Sequence, residues 1–314
     1  MKLIKPERLQ KHDLIGLISP SDSLHRRHAG LMRGIKILRK MGFGTKLGKN
    51  ALKEKYHMAG SDEERASDLN EMFENSEVKA IICTDGGSAA YRILRLIDYR
   101  TIKKNPKIFV GLSDITLLHS AINRKSNLVT FHGPLVIHGI NSSHLGYKKG
   151  MEPYTKEYFL KALTQSKPIG RIRPSSKWNL LKEGNANGRL VGGLLRLIEN
   201  ILGTEFEPEF KNSIFFLEEY QQHYARIERS LIHLKEIGAF EKIKGMIIGH
   251  LEQCTLIHPK YTLEKIIRDL LDEYDFPVLK IEEIGHNTKN ITIPIGVKAQ
   301  IVDNRFSITE SGVK

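Results

Sequence analysis

Apolar positions in the first half of the chain fall into short continuous runs separated by segments of helical period. Leu14–Ser19 is an apolar run closed by Pro20. Helical spacing follows over Ala29–Met41, with Leu31, Ile35 and Leu38 on one face and Gly42 as its stop. Ser61-Asp-Glu-Glu64 reads as a capping box that opens a helix running to Asn75. Lys79–Thr84 predicts a strand, Asp85-Gly-Gly-Ser88 its turn and Ala89–Asp98 the next helix. The pattern repeats with a strand at Ile108–Leu112, a helix from Asp114 and a strand at Leu128–Phe131. Continuous apolar strands alternating with helices predict a parallel sheet covered on both faces. Ligands of such sheets bind beyond the C-terminal strand ends, where Ser19, Gly86, Gly87, Ser113 and His132 fall.

Past Gly139 the pattern weakens. Asn141-Ser-Ser-His, a turn at Lys148-Lys149-Gly150 and Pro174-Ser-Ser-Lys177 predict loops and a linker over 141–186. Ser213–Leu217 and Gly245–Gly249 then read as strands, with an amphipathic helix over Ala225–Ile237 between them. Ile291–Ile295, Lys298–Val302 and Arg305–Thr309 alternate as short strands, with Asp303-Asn304 as a hairpin turn. The expected architecture is α/β: a parallel-sheet domain over 1–140, the linker, and a smaller mixed domain over 187–314.

Composition narrows the class. The 314 residues are 40% hydrophobic, enough for a sizeable core. Cys83 and Cys254 stand in apolar runs, as buried thiols of a reducing compartment do. The N-terminal residues lack an apolar signal region, and no run has transmembrane length, so a cytoplasmic protein without a membrane partner is expected. The net charge is +13, and ten Lys/Arg against one acid, Glu54, stand between Arg26 and Lys55. No stacking aromatics interleave with those charges, which argues against nucleic acid as the partner. A solvated basic face, or a field that attracts a small anionic substrate, accounts for them.

The chemistry concentrates at Lys107-Ile-Phe-Val-Gly-Leu-Ser113-Asp-Ile-Thr116. This is a buried strand ending in Gly-x-Ser-Asp before a helix, the context of a nucleophile elbow, although Ile115 and Thr116 replace the usual second glycine. A serine nucleophile needs a base, and the base needs a third group to fix its tautomer. His286, in the loop Ile284-Gly-His-Asn287, is better placed for this than His119 or His233, which fit helix faces. His132 follows a strand end and can line the same cleft. Glu218 and Glu219 end an apolar strand, and alternation points one to a cleft and the other to solvent. The amides of Asp85-Gly86-Gly87 and of Asp114 offer an oxyanion hole. Nucleotide-loop glycine patterns and zinc-type His or Cys spacings are absent, so neither cofactor nor metal is expected. Trp178 is either a core anchor or a stacking platform over the cleft.

Together these residues resemble the LD-carboxypeptidase family of serine peptidases, which includes murein tetrapeptide carboxypeptidases and microcin C immunity peptidases. The resemblance runs from Leu14–Asp22 through Asn105–Thr116, Leu128-Val-Thr-Phe-His-Gly-Pro134, Gly188-Arg-Leu-Val-Gly-Gly193, Leu202-Gly-Thr204 and Phe215-Phe-Leu-Glu-Glu219 to Gly285-His286 and Ile293-Pro-Ile-Gly296. It implies a C-terminal domain with a β-barrel-like core and a homodimer. It implies Ser113 as nucleophile, His286 as base and Glu218, rather than Glu219, as its orienter. The oxyanion hole falls on the backbone of Asp114 and of Gly87 or Gly86. The implied substrate is a small peptide or muropeptide ending in D-alanine, cleaved at its L,D bond; the alternative is an aminoacyl- or peptidyl-adenylate amide, which Trp178 would stack. Arg189 and Arg196 are the candidates for the substrate carboxylate. Two features depart from the family pattern: Asp85 before Gly-Gly and Ser88-Ala89 after it, where the carboxypeptidase branch has Arg and Tyr-Gly, and Leu194, where Asn is usual.

Overall fold

The computed structural model describes residues 3–141 and 150–314. The first half forms β1 (Leu14–Ile18), α1 (His28–Lys40), β2 (Gly44–Leu47), α2 (Asp62–Glu74), β3 (Val78–Cys83), α3 (Tyr99–Lys104), β4 (Ile108–Gly111), α4 (Thr116–Ser126) and β5 (Thr130–His132). These strands lie parallel in the order β2-β1-β3-β4-β5. β4 is buried at every position, as a strand covered on both faces must be. The order turns back on itself between β1 and β3, which opens a crevice at their C-terminal ends. The capping box is formed: Glu64 N–H donates to Ser61 Oγ at 3.2 Å, and Ser61 N–H to Glu64 Oε2 at 2.8 Å. The helix expected over Ala89–Asp98 is a 3-10 segment, Ala90–Leu96. It stops because Asp98 caps a separate helix, α3, accepting from the amides of Arg100 and Thr101.

Residues 150–186, expected as loop and linker, carry α5 (Pro153–Thr164), β6 (Gly170–Arg171) and β7 (Asn179–Lys182). Pro153 opens α5 behind Glu152, and Tyr154, Tyr158, Phe159, Ala162 and Leu163 bury one face. Lys148 and Lys149 of the turn expected at Lys148-Lys149-Gly150, and Ser142-Ser-His144 of Asn141-Ser-Ser-His, lie outside the described residues.

The second half contributes β8 (Ala186–Leu194), α6 (Leu195–Asn200), β9 (Ser213–Tyr220), α7 (Tyr224–Glu236), β10 (Gly245–Glu252), α8 (Leu263–Leu271), β11 (Val278–Lys280), β12 (Ile293–Ile295), β13 (Lys298–Val302) and β14 (Arg305–Ile308). Among the described residues a curled eight-stranded mixed sheet runs β6-β14-β13-β8-β9-β10-β11-β7. β12 does not join it. It pairs antiparallel with β5 and makes the edge of the first sheet, so the chain crosses back over the boundary at 187. One apolar cluster spans both sheets, including Leu17, Val110 and Phe131 from the first and Leu190, Phe216 and Ile247 from the second. That shared core fixes the ends of β4 and β9 relative to each other. No helix among the described residues is long and apolar enough to cross a membrane. Cys83 is buried, and burial pushes its thiol up; Cys254, expected buried, is only half so.

Candidate active site

The chain leaves β4 at Gly111, extends through Leu112 and turns at Ser113, whose φ is 63°. A non-glycine residue in this region is strained and is held there only by its surroundings. Three contacts hold it. Ile115 packs against Gly111, where a Cβ would lie 2.7 Å from it. His119 Nε2 lies 2.8 Å from the Gly111 carbonyl. The buried carboxylate of Asp114 accepts from Ser21 Oγ and, at 2.7 Å, from the amide of Ala90. Asp114 thereby ties the serine turn to the loops after β1 and β3. Burial pushes its carboxyl up, against the opposing effect of those hydrogen bonds.

The loop after β3 passes directly beside the serine. A Cβ on Gly86 would lie 2.9 Å from Ser113 Cβ, so only glycine admits this approach. The Gly86 amide donates to Asp85 Oδ1 at 2.9 Å. It is therefore committed, which leaves Gly87 and Asp114 as the two candidate oxyanion amides. The Asp114 amide stands in the first turn of a 3-10 segment, where an N–H has no acceptor within the helix.

Across the pocket, β9 delivers Glu218 and the loop after β11 delivers His286. His286 Nδ1 lies 2.6 Å from Glu218 Oε2. Gly285 makes this approach possible: its φ is 105°, and a Cβ there would lie 2.6 Å from Glu218 Cβ. Gly285→Ala is expected to cost about 1–3 kcal/mol of stability and to push Glu218 off the imidazole. Urea unfolding beside turnover checks this; an unchanged midpoint would mean that the loop yields freely. Burial alone would lower the His286 pKa, but the Glu218 charge and hydrogen bond outweigh it and hold the imidazole above its ordinary value. Burial alone would raise Glu218, yet His286 holds that carboxylate below its ordinary value. Tyr220 stacks on the imidazole with ring centroids 4.9 Å apart. Ser113, His286, Gly86, Gly87, Gly285 and Tyr220 all line one cavity of about 370 Å³.

Other expected positions fall elsewhere. Glu219 does not meet solvent: β9 is covered on both faces, and Glu219 is as buried as Glu218. It accepts the amides of Tyr220 and Arg196 and pairs with the Arg196 side chain at 3.4 Å. His132 is fully buried behind the site rather than in the cleft, packed edge-on against Phe216; burial pushes it down to about 4 and keeps it neutral. Trp178 is not on the pocket wall. Its indole N–H donates to Glu283 Oε2 at 2.8 Å, and its ring packs on the core. Arg189 donates to the Gly296 carbonyl at 2.8 Å and is not among the residues lining the serine pocket. Arg196 donates to the Tyr220 carbonyl at 2.8 Å and lines a second cavity, about 590 Å³, whose wall includes Gly87 and Asp114 themselves. Leu194 lines that cavity too, and its amide donates to Thr116 Oγ1 at 3.0 Å.

The wall also carries residues that the sequence reading passed over: Asp22, Arg27, His138, Glu252 and Asn290. Arg27 had a signal. It follows the C-terminal end of β1, at the crevice, but the charge count absorbed it into a basic run.

A pocket lined by both a strained strand-end serine and a carboxylate-bound histidine is of the kind serine hydrolases use. The chain is a member of the LD-carboxypeptidase family: the family's N-terminal domain matches residues 15–133 and its C-terminal domain residues 187–301. It is a serine peptidase of the carboxypeptidase kind. It is 35% identical to a probable murein peptide carboxypeptidase of Bacillus subtilis, over 98% of this chain and 95% of that one. It is 32% identical to the microcin C7 self-immunity protein MccF of Escherichia coli, over 88% of this chain and 87% of that one. The solved structure of MccF in complex with aspartyl sulfamoyl adenosine superposes with a TM-score of 0.90 at 29% identity, covering 99% of this chain and all of that one.

Proposed function

We propose that this carboxypeptidase hydrolyses the amide between the L-centre of a diamino acid and a terminal D-alanine in murein tetrapeptides, using Ser113, His286 and Glu218. The observation that carries this reading is the buried Glu218–His286 pair at 2.6 Å opening onto the pocket that Ser113 lines. Glu218 accepts from Nδ1–H, which fixes the tautomer and leaves Nε2 as the base. Nε2 takes the serine proton as Oγ attacks the carbonyl carbon. The amides of Gly87 and Asp114 receive the oxyanion. The imidazolium, stabilised by Glu218, then protonates the leaving amine of D-alanine. Water repeats the sequence on the acyl-enzyme and releases the shortened peptide. No step needs a metal or cofactor.

Two features favour a peptide over an adenylate conjugate. The identity to the murein peptide carboxypeptidase extends over more of the chain. The only tryptophan, the natural adenine stacker, is bound to Glu283 off the pocket wall. The test is mass-spectrometric detection of D-alanine released from a murein tetrapeptide. Release by the wild type is expected. Absence of release, with hydrolysis of an aminoacyl sulfamoyl adenosine instead, would transfer the reading to the immunity branch.

A further inference from the structure

We propose that Arg27 is the specificity-determining residue that recognises the free terminal carboxylate of the substrate. This rests on the peptidase reading above and adds what selects the end of the chain. Arg27 closes a short 3-10 turn after β1, His25–Arg27, and its side chain lines the pocket of Ser113 and His286. Among the described residues, apart from His286, only Arg27 and His138 on that wall can carry positive charge. Of the arginines expected for this role, Arg189 donates to the Gly296 carbonyl and is not on that wall, and Arg196, held by the Tyr220 carbonyl and Glu219, lines the adjoining cavity that shares Gly87.

The guanidinium is already oriented. Nη1 pairs with Asp85 Oδ2, Nη2 donates to the Ser23 carbonyl at 3.1 Å, and Nε donates to the Leu24 carbonyl at 3.4 Å. Each terminal nitrogen carries a second N–H, so a carboxylate can still be met by two donors. An oriented guanidinium loses little freedom on binding one. The exposures decide which partner of the pair meets a ligand: the Asp85 side chain is 4% exposed and that of Arg27 is 40%. Asp85 Oδ1 is taken by the Gly86 amide at 2.9 Å, with His138 Nε2 at 3.4 Å. Asp85 is thus the pivot rather than the face.

The pivot also sets the spacing. One carboxylate holds both the guanidinium and the glycine that packs on Ser113. An anion bound at Arg27 is therefore registered against the nucleophile. The carboxyl carbon of a terminal residue lies two bonds from its amide nitrogen, so anchoring it presents the last peptide bond, and no other, to the serine. The departure at Asp85 acquires a role in this scheme. The acid before Gly-Gly does not contact substrate; it positions a cation contributed by another element.

The experiment compares a murein tetrapeptide carrying L-lysine before D-alanine with the same peptide ending in the carboxamide. kcat/KM is measured for wild type, Arg27→Met and Arg27→Lys. The wild type should prefer the free acid by about 10- to 100-fold, the range of a hydrogen bond to a charged group. In Arg27→Met this ratio should fall toward one. Arg27→Lys, with charge but no fork, should lie between. The ratio is internal to each preparation, so partial misfolding does not move it. A wild-type ratio retained in Arg27→Met, with both rates lowered together, would overturn the proposal and leave Arg27 as a brace for Asp85. A wild type that releases D-alanine from both peptides equally would overturn it too. Release from neither peptide by folded wild type would sink the peptidase reading and the anchor with it.

Discussion

Ser113→Ala should lower turnover by about 10⁴-fold or more while the protein remains folded. The size follows from the pathway. Without Oγ no acyl-enzyme forms, and what remains is the contribution of the oxyanion amides and substrate binding. Ser113 also has a second handle, because its φ of 63° is strained for any residue with a side chain. Alanine keeps that strain, so its stability should match the wild type closely. Ser113→Gly removes the hydroxyl and the strain together, and should gain about 1 kcal/mol of stability while losing the same turnover. The two variants thus separate chemistry from fold. Single-turnover D-alanine release with urea unfolding reads both. Activity surviving in both variants would remove Ser113 from the mechanism. A glycine variant less stable than wild type would show instead that the serine side chain contributes a contact outweighing its strain.

The serine turn was legible because it depends on local signals: a continuous apolar strand, a Gly-x-Ser-Asp end and a helix directly after. The capping box at Ser61 was legible for the same reason. Glu218 was only half legible. Two adjacent acids at a strand end look alike in sequence, and alternation suggested that one would be solvated. The packing of α6 and the shared core over both faces of β9 buries both, so Arg196 is required as a second counter-charge for Glu219. The role of β12 was hidden more completely. Three residues, Ile293–Ile295, read as one of several C-terminal strands, yet they pair with β5, some 160 positions earlier. Nothing in a period-2 pattern names its partner. His132 was misplaced for a related reason, and of the two readings of Trp178 the core anchor, not the cleft platform, is the one found. Periodicity places a residue near a strand end or in a loop, but whether its ring faces a cleft or a core depends on what the second sheet lays over it. Arg27 was missed through averaging: a charge count treats ten cations alike, whereas one of them turns inward onto a buried acid.

Glu218→Gln should shift the pH profile as well as lower the rate. The base must be neutral to act, and His286 is held above its ordinary 6.5, so the acid limb of kcat/KM in the wild type should lie above that value. Removing the charge of Glu218 leaves burial and the Arg196 charge, both of which lower the imidazole, opposed only by the smaller effect of Glu219. The acid limb should therefore move to lower pH than in the wild type. Turnover should nevertheless fall by about 10²- to 10⁴-fold, because a carboxamide can donate to Nδ1 and stabilise the wrong tautomer. Stability responds with the opposite sign on the alkaline side. His286 is raised in the fold, so its share of the pair's stabilisation is full below 6.5 and fades as pH rises through its folded value. Glu218 is lowered, so its share is present above 4.5 and is lost as pH falls through its folded value. The pair therefore stabilises the fold most between these limits, whereas catalysis improves above them. The enzyme works where the imidazole has begun to give up its proton, and with it part of the stabilisation that holds the loop of His286 onto β9. A pH series of unfolding midpoints for wild type and Glu218→Gln isolates this term: their difference should be greatest near pH 5–6 and shrink on the alkaline side. An acid limb that stays in place in Glu218→Gln would mean that another group, and not His286, titrates in catalysis.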